Sequence, residues 1–444
     1  MFQGYMSKTL LTFAYCLISL CFVCVSVADE SNAVESLRSF LKAADSNINK
    51  VVDQPFAKLA LTKEQAKQAE EILIGAWKQQ LKKEREAELK GTVLKIGDQK
   101  MKFFKREFGE KPEAGWSLYI SMHGGGGTTA RANERQWENQ KGLYKLEEGL
   151  YVVPRSPTNT WNMWHKAEID QFYDRLITNL IINNDVNPNR VYILGYSAGG
   201  DGVYQLGPRM ADRLAAAAMM AGHPGDAAAE NLRNLPFTIH MGEKDGSYNR
   251  NKKAANWKKK LAGLQEKDPK GYTHDVQIHE GKGHWMNLQD AVAIPWMSKF
   301  SRQRFPSKVV WKQDDVKQKR FYWLAVDKLP AKRPLIVAQR DGQKVTIEQA
   351  EVDSLSVLLN DQMLDLDQNV SVDWGGKLVQ SKKAQRTIGQ LVTSLLERGD
   401  PAMMFSARID LVKPAMEEVP QSEPAGSTKK AEPMADTDSP VPSL

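Results

Sequence analysis

Cysteine is almost missing from this chain of 444 residues: the three present are Cys16, Cys21 and Cys24. Everything after Cys24 is free of the residue, which excludes a disulfide framework, a thiolate metal site and a cysteine nucleophile from the bulk of the chain. Long apolar runs are scarce as well. One spans Leu10 to Val27, preceded by Lys8 and closed by Ser26-Val27-Ala28 ahead of Asp29-Glu30. A basic start, an apolar middle and small residues at the end predict a secretory leader, residues 1–28, cleaved near Ala28, with Met6 as an alternative start. The protein is then secreted or periplasmic. The alternative is an uncleaved N-terminal membrane anchor, for which the run is short. No cysteine follows the small residues of a lipoprotein cut, so no lipid anchor is expected, and no later stretch predicts a membrane span.

Charge of one sign is also in small excess, +7 overall. Its densest patch, Lys252 to Lys260, reads as a solvated helix face rather than a nucleic-acid surface. Asp361, Asp365, Asp367 and Asn369 lack the glycine at position six and the glutamate at position twelve of a calcium loop. The glycine run after His123 is not followed by the Lys-Ser/Thr of a phosphate loop. No metal and no organic cofactor is expected, and there is no internal repeat.

What is there is the length for two domains and a soluble composition, 41% hydrophobic and 26% charged. Residues 29–90 predict helix, with Thr62-Lys63-Glu64-Gln65 as a capping box. Short strands follow from residue 91: Thr92 to Ile96 and Lys100 to Phe108 around Gly97-Asp98, then Trp116 to Met122, Leu150 to Val153, Val191 to Leu194, Leu214 to Ala221, Pro236 to Met241 and Asp275 to His279. Helical stretches between the later strands, Glu168 to Ile182 among them, imply a mostly parallel eight-stranded sheet covered on both faces. Asp185 to Asn189 predicts a turn. After Pro306 the pattern becomes β-rich, interrupted by one helix at Thr387 to Arg398, and predicts a small antiparallel, sandwich-like domain over 306–412. Residues 413–444, rich in Pro, Ser, Glu, Ala and Lys, predict a disordered tail.

The stretch of greatest chemical content is Arg190 to Gly202, RVYILGYSAGGDG. An apolar strand runs into Gly195-Tyr196-Ser197-Ala198-Gly199, and helix-spaced apolar residues follow. Strand, tight turn, helix is the context in which G-x-S-x-G presents a nucleophilic serine, here Ser197. A serine hydroxyl needs a base to take its proton. Of the later histidines, His240, His274 and His279 fall inside predicted strands, and His223 precedes any good acid. His284 lies in the mobile setting Gly281-Lys282-Gly283-His284-Trp285 past the last strand and is the candidate base. Asp245, in Gly242-Glu243-Lys244-Asp245 just after the seventh strand, is the candidate acid, with Glu243 and then Asp226 as competitors. Asp201 is expected to point away on its helix. Backbone donors for a developing oxyanion are expected from Ala198 and from the run His123 to Gly127, through Gly125 and Gly126. Trp161, Trp164, His165, His223 and Trp285 are candidate pocket residues; core packing is the competing reading of the large rings.

Together HGGGG, GYSAGG, GEKD and GKGHW resemble the α/β-hydrolase superfamily. The stretch DVNPNRVYILGYSAGGDGVYQL is similar to secreted esterases of the polyhydroxybutyrate-depolymerase and feruloyl-esterase-like group, to which prolyl-oligopeptidase-type catalytic domains are related. The resemblance covers about Gly91 to Phe305. It implies an α/β-hydrolase fold over 91–305, with Ser197 as nucleophile, Asp245 as acid, His284 as base, and Gly125, Gly126 and Ala198 around the oxyanion. RFYWL, LLND and LLERGDP resemble the added β domain of hydrolases with the same front half and carry no activity across. The chain departs from many secreted feruloyl and polymer esterases in lacking their disulfide cysteines. The resulting expectation is a secreted serine hydrolase of carboxylic esters, acylated polysaccharide or polyester among the substrates, with no nucleic-acid partner. The alternatives are a prolyl-oligopeptidase-like serine peptidase and a non-catalytic protein that binds envelope polysaccharide.

Overall fold

Six neighbouring parallel strands, most of them buried from end to end, form the centre of the molecule. The computed structural model describes residues 33–43 and 46–414; the expected leader, and the expected tail from residue 415 onward, lie outside these residues. The chain begins with helices α1 (Ala33–Lys42), α2 (Lys63–Glu84) and α3 (Glu86–Lys90). At the start of α2 the Thr62 hydroxyl accepts from the Gln65 N–H while the Gln65 side chain accepts from the Thr62 N–H, the reciprocal cap the residue types predict.

The main sheet is built from β1 (Val93–Ile96), β2 (Gln99–Phe108), β3 (Trp116–Met122), β4 (Gly149–Arg155), β5 (Val186–Tyr196), β6 (Ala216–Met220), β7 (Phe237–Gly242) and β8 (His274–His279). Helices α4 (Ala130–Lys141), α5 (Ala167–Asn184), α6 (Ala198–Arg209) and α7 (Arg250–Lys267) connect them, and the short α8 (Ala293–Met297) follows. The strand order is β1-β2-β4-β3-β5-β6-β7-β8. Pairing is antiparallel from β1 through β2 to β4 and parallel from β4 to β8. Every residue of β3, β4, β6 and β7 is buried, as strands covered on both faces require.

One local outcome differs from the expected turn at Asp185 to Asn189, and one expected strand forms against the propensity of its residues. Asp185 alone makes the turn, in the left-handed region at φ 56°, and the chain is extended from Val186 onward. The irregularity expected there survives as a jump in register, because Trp116 pairs with Val186 while Leu118 pairs with Val191. Pro188, which has no N–H, sits inside that jump, where no ladder bond is asked of it. Ala216-Ala217-Ala218 forms a strand although alanine favours helix. Tertiary contact overrides propensity here: β6 is hydrogen-bonded on both sides, and its small side chains admit α6 close above.

The C-terminal part adds β9 (Lys308–Lys312), β10 (Arg320–Phe321), β11 (Leu324–Ala325), β12 (Leu335–Asp341), β13 (Lys344–Ala350), β14 (Ser354–Leu359), β15 (Val370–Trp374), β16 (Lys377–Lys382), α9 (Ile388–Arg398) and β17 (Ala407–Val412). They form a four-stranded sheet, β10-β11-β14-β17, and a five-stranded one, β16-β15-β13-β12-β9. The stretch Arg320 to Val326 folds back on itself at Tyr322, whose φ is 51°. β13 and β15 pair in parallel, so these sheets are not purely antiparallel. Trp311, Tyr322 and Trp323 share one buried cluster with Leu206 and Leu232 of the main-sheet region. Leu73 and Trp77 of α2 pack with Leu391 and Leu395 of α9. Packing therefore crosses the compositional boundaries near residues 90 and 306. Arg213 and Arg302 both reach the buried Asp400, at 3.1 and 2.5 Å, across the second of them.

Candidate active site

The serine is positioned first. β5 ends at Tyr196, α6 begins at Ala198, and Ser197 between them has φ 58° and ψ −121°. A positive φ at a residue other than glycine is strained, and the surrounding contacts hold it: the Ser197 N–H donates to the Met220 carbonyl at 2.9 Å. A Cβ on Gly195 would overlap the Gly199 backbone and one on Gly199 would overlap the Met122 carbonyl of β3, which is why the turn takes glycine on both sides.

The candidate base and acid arrive on neighbouring loops. β7 and β8 are adjacent and parallel, so the chain leaving each emerges at the same edge as Ser197. Gly242 lies against the Gly283 carbonyl, with no room for a side chain, and this contact sets the two loops together. His284 Nε2 lies 3.0 Å from Ser197 Oγ, and His284 Nδ1 lies 2.7 Å from Asp245 Oδ2. With Nδ1–H donating to the carboxylate, Nε2 is the acceptor for the serine hydroxyl. Asp245 is buried; beyond His284, it has the Arg250 guanidinium 3.7 Å from its other oxygen.

The competing acids are occupied elsewhere. The Glu243 carboxylate accepts from the Gly281 N–H at 2.8 Å, tying the two loops together, and Asp226 pairs with Arg333 at 2.7 Å. His240 is buried and lies 3.2 Å from His279, and burial pushes its imidazole down to about 4, so it is neutral. His274 sits at the start of β8, its ring bonded to the Tyr272 carbonyl.

The glycine run follows β3 and passes over the serine: a Cβ on Gly124 would meet Ser197 Cβ at 3.2 Å, and one on Gly126 would meet Ala198 Cβ at 3.5 Å. His123 is fully buried beneath it. The Ser156 N–H donates to its Nε2 at 3.2 Å, leaving Nδ1–H to donate to the Gly124 carbonyl at 2.6 Å. Burial holds this imidazole neutral, at about 3. The Gly126 N–H is already used, donating to Asn133 Oδ1 at 2.8 Å, so it is not free for an oxyanion. Among the described residues, the N–H groups of Gly125 and Ala198 have no hydrogen-bond acceptor. Trp164 is not a pocket residue: it is buried, and its indole N–H donates to the His123 carbonyl at 2.9 Å, bracing the run from below.

Residues 153–296 match the dienelactone hydrolase family. The main sheet with its flanking helices has an α/β-hydrolase-like fold. Among solved structures, similarity extends to a thermostable esterase (19% identity, TM-score 0.39, 47% of this chain and 62% of that one). It also extends to a ferulic acid esterase (16%, TM-score 0.33, 47% and 96%) and the feruloyl esterase module from Clostridium thermocellum (14%, TM-score 0.33, 46% and 83%). The chain thus spans less than two thirds of the first of these. No curated protein matches the sequence.

Two hollows meet at Ser197. One, of about 580 Å³, is lined by His284, Trp285, Tyr196, Gln136, Asn139 and Leu143. The other, of about 360 Å³, is lined by Ala198, Trp161, His165, His223, Tyr248 and Arg250. Trp161 and Tyr248 stand 70% and 76% exposed at the rim of the second, which sets them apart from the buried rings of the core. Asp201 also lines this hollow instead of pointing away. Its Oδ1 accepts from the His223 N–H at 2.6 Å, and burial pushes its carboxyl up to about 6. Burial likewise lowers His165, to about 4, and His223. Asn133, Tyr196, Tyr248 and Arg250 were not singled out in the sequence; each acts through a contact that no motif spacing encodes. Among the described residues no group of three or more His, Cys, Asp or Glu side chains is placed to hold a metal ion.

Proposed function

We propose that the protein is an exported serine hydrolase of carboxylic esters, working through an acyl-enzyme. The observation that carries this reading is the unbroken chain from Ser197 Oγ to His284 at 3.0 Å and on to Asp245 at 2.7 Å. Ser197 Oγ attacks the ester carbonyl as His284 Nε2 takes its proton. Asp245 holds the imidazole in the required tautomer and stabilises the imidazolium. The carbonyl oxygen, now negative, faces the N–H groups of Gly125 and Ala198. The tetrahedral adduct collapses when His284 returns the proton to the alcohol oxygen, which leaves with the electron pair of the broken C–O bond. Water, deprotonated by the same histidine, then releases the acid and restores Ser197.

The proton transfer assigns the hollows. The alcohol has to depart where Nε2 reaches its oxygen, so it occupies the hollow lined by His284, and the acyl group lies in the one lined by Ala198 and Arg250. The leader, residues 1–28, directs the chain out of the cytoplasm. An acylated polysaccharide or a polyester is a substrate of the right class, with the exposed Trp161, Tyr248 and Trp285 to receive it.

Labelling with a fluorophosphonate tests the reading. Wild-type protein takes the label and Ser197→Ala does not, and a panel of short nitrophenyl esters turns over faster than the matching peptide anilides. Labelling that survives Ser197→Ala removes the nucleophile; faster anilide cleavage replaces the esterase with a peptidase.

A further inference from the structure

The residue beside the nucleophile in the chain also holds the base. Tyr196 immediately precedes Ser197, and its side chain leaves the turn towards the loop that carries His284. The phenol O–H donates to the His284 carbonyl at 2.6 Å, and the phenol oxygen accepts from the Met286 N–H at 3.1 Å. One hydroxyl therefore satisfies two main-chain groups on either side of Trp285. The ring supports the same loop: it stands edge-on to the His284 imidazole with centroids 5.9 Å apart and lies 5.7 Å from the Trp285 indole. Burial pushes this phenol well above its ordinary range, so it stays protonated and keeps its donor.

Ahead of the imidazole the His284 loop is tied to the β7 loop, by the Glu243 carboxylate at the Gly281 N–H and by the Lys244 N–H at the Lys282 carbonyl, while His284 itself is 44% exposed at the side chain. Past Met286 a further attachment is the buried Asp290, which accepts from the Tyr144 hydroxyl. We infer that Tyr196 is a positioning residue for the base, fixing the His284 main chain relative to Ser197 through the shortest covalent path available. The neighbouring residue supplies the nucleophile, so any displacement of the turn carries base and nucleophile together. Tyr196 does not touch the substrate carbonyl through its hydroxyl, because both hydrogen bonds of that hydroxyl are committed to the loop.

This rests on the reading of His284 as the base, and the test separates the two. Tyr196→Phe keeps the ring and removes the hydroxyl. On a short nitrophenyl ester it is expected to lower kcat on the order of 10²-fold, the effect of a small misplacement of a catalytic group, with KM within a factor of about two. In a His284→Ala background the same substitution costs nothing further, since there is no imidazole left to place. Replacing the hydroxyl by an amino group with para-aminophenylalanine restores most of kcat and provides a second variant should Tyr196→Phe fold poorly. Unchanged kcat in Tyr196→Phe overturns the inference, as does an equal loss in the His284→Ala background, which would make the phenol act on the substrate or the fold. Full activity of His284→Ala alone overturns the reading of the base instead.

Discussion

The side chain of Asn133 takes the N–H of Gly126: Oδ1 accepts it at 2.8 Å, while Nδ2 donates to the carbonyls of Thr128 and Thr129 at 3.3 and 3.2 Å. A single buried amide at the start of α4 thereby closes the loop that crosses Ser197. The loop needs this because four successive glycines offer no side chain to hold it in place. Gly125, at φ 101°, is left with its N–H unclaimed beside the serine.

Asn133→Ala should therefore cost activity through the loop. The expected loss in kcat is on the order of 10²-fold, the scale of losing one oxyanion donor, with little change in KM. Steady-state kinetics on a nitrophenyl ester, beside a melting curve to register the lost buried hydrogen bonds, measures both. An unaltered kcat would place the Asn133 contact outside catalysis.

Asp245→Asn should be more severe than its conservative size suggests. The amide favours the wrong imidazole tautomer and cannot stabilise the imidazolium, and a fall of about 10⁴-fold in kcat at neutral pH is expected. Glu243→Gln, which keeps an acceptor for the Gly281 N–H, should leave kcat within a factor of a few. If the two variants were equally impaired, Asp245 would have no special part.

Asp201 supplies a pH dependence with a defined sign. Its carboxyl is raised from 3.8 to about 6 by burial, so the folded protein binds this proton more tightly than the unfolded chain does. The stabilisation is complete below about pH 4 and is lost as pH rises through about 6. Asp201→Asn keeps an acceptor for the His223 N–H and removes the cost of the buried charge. The variant should be more stable than wild type at pH 8, on the order of 1–3 kcal/mol, and the difference should shrink towards pH 4. Thermal melts across that range give the answer; a constant difference at all pH values would contradict it.

Trp161, exposed at the rim of the smaller hollow, should contribute to substrate capture and not to stability. Trp161→Ala is expected to leave the melting temperature where it is, as surface substitutions do within about 0.5 kcal/mol, and to raise KM for esters whose acyl group fills that hollow. Equal KM values across a series of acyl sizes would assign the indole no contact with substrate.

The proposed catalytic set was legible because its members sit at punctuation points. Ser197 lies between an apolar strand and a helix, and Asp245 and His284 directly follow strands, positions where a parallel sheet gathers side chains at one edge. The supporting residues were not legible for the opposite reason. Trp164 looks like any aromatic after a strand, and only its burial under His123 shows it bracing the glycine run. Asp201 is four residues beyond Ser197, and helical spacing alone does not say whether that face meets solvent or the cleft. The strand at β6, by contrast, was expected at Leu214 to Ala221, and the flanking strands overrule the helical preference of its three alanines.

By itself the sequence determined the kind of sheet, the strained serine turn and the order in which acid and base follow it, because these depend on apolar runs, glycine and loop position, all local properties. The tertiary structure alone decided which of two glycine N–H groups remains free, which acid meets His284, and that the residue before the serine clamps the histidine loop. The first is settled by a side-chain hydrogen bond across seven residues and the other two by hydrogen bonds between residues 39 and 88 apart, and none of these bonds leaves a pattern in either segment taken alone.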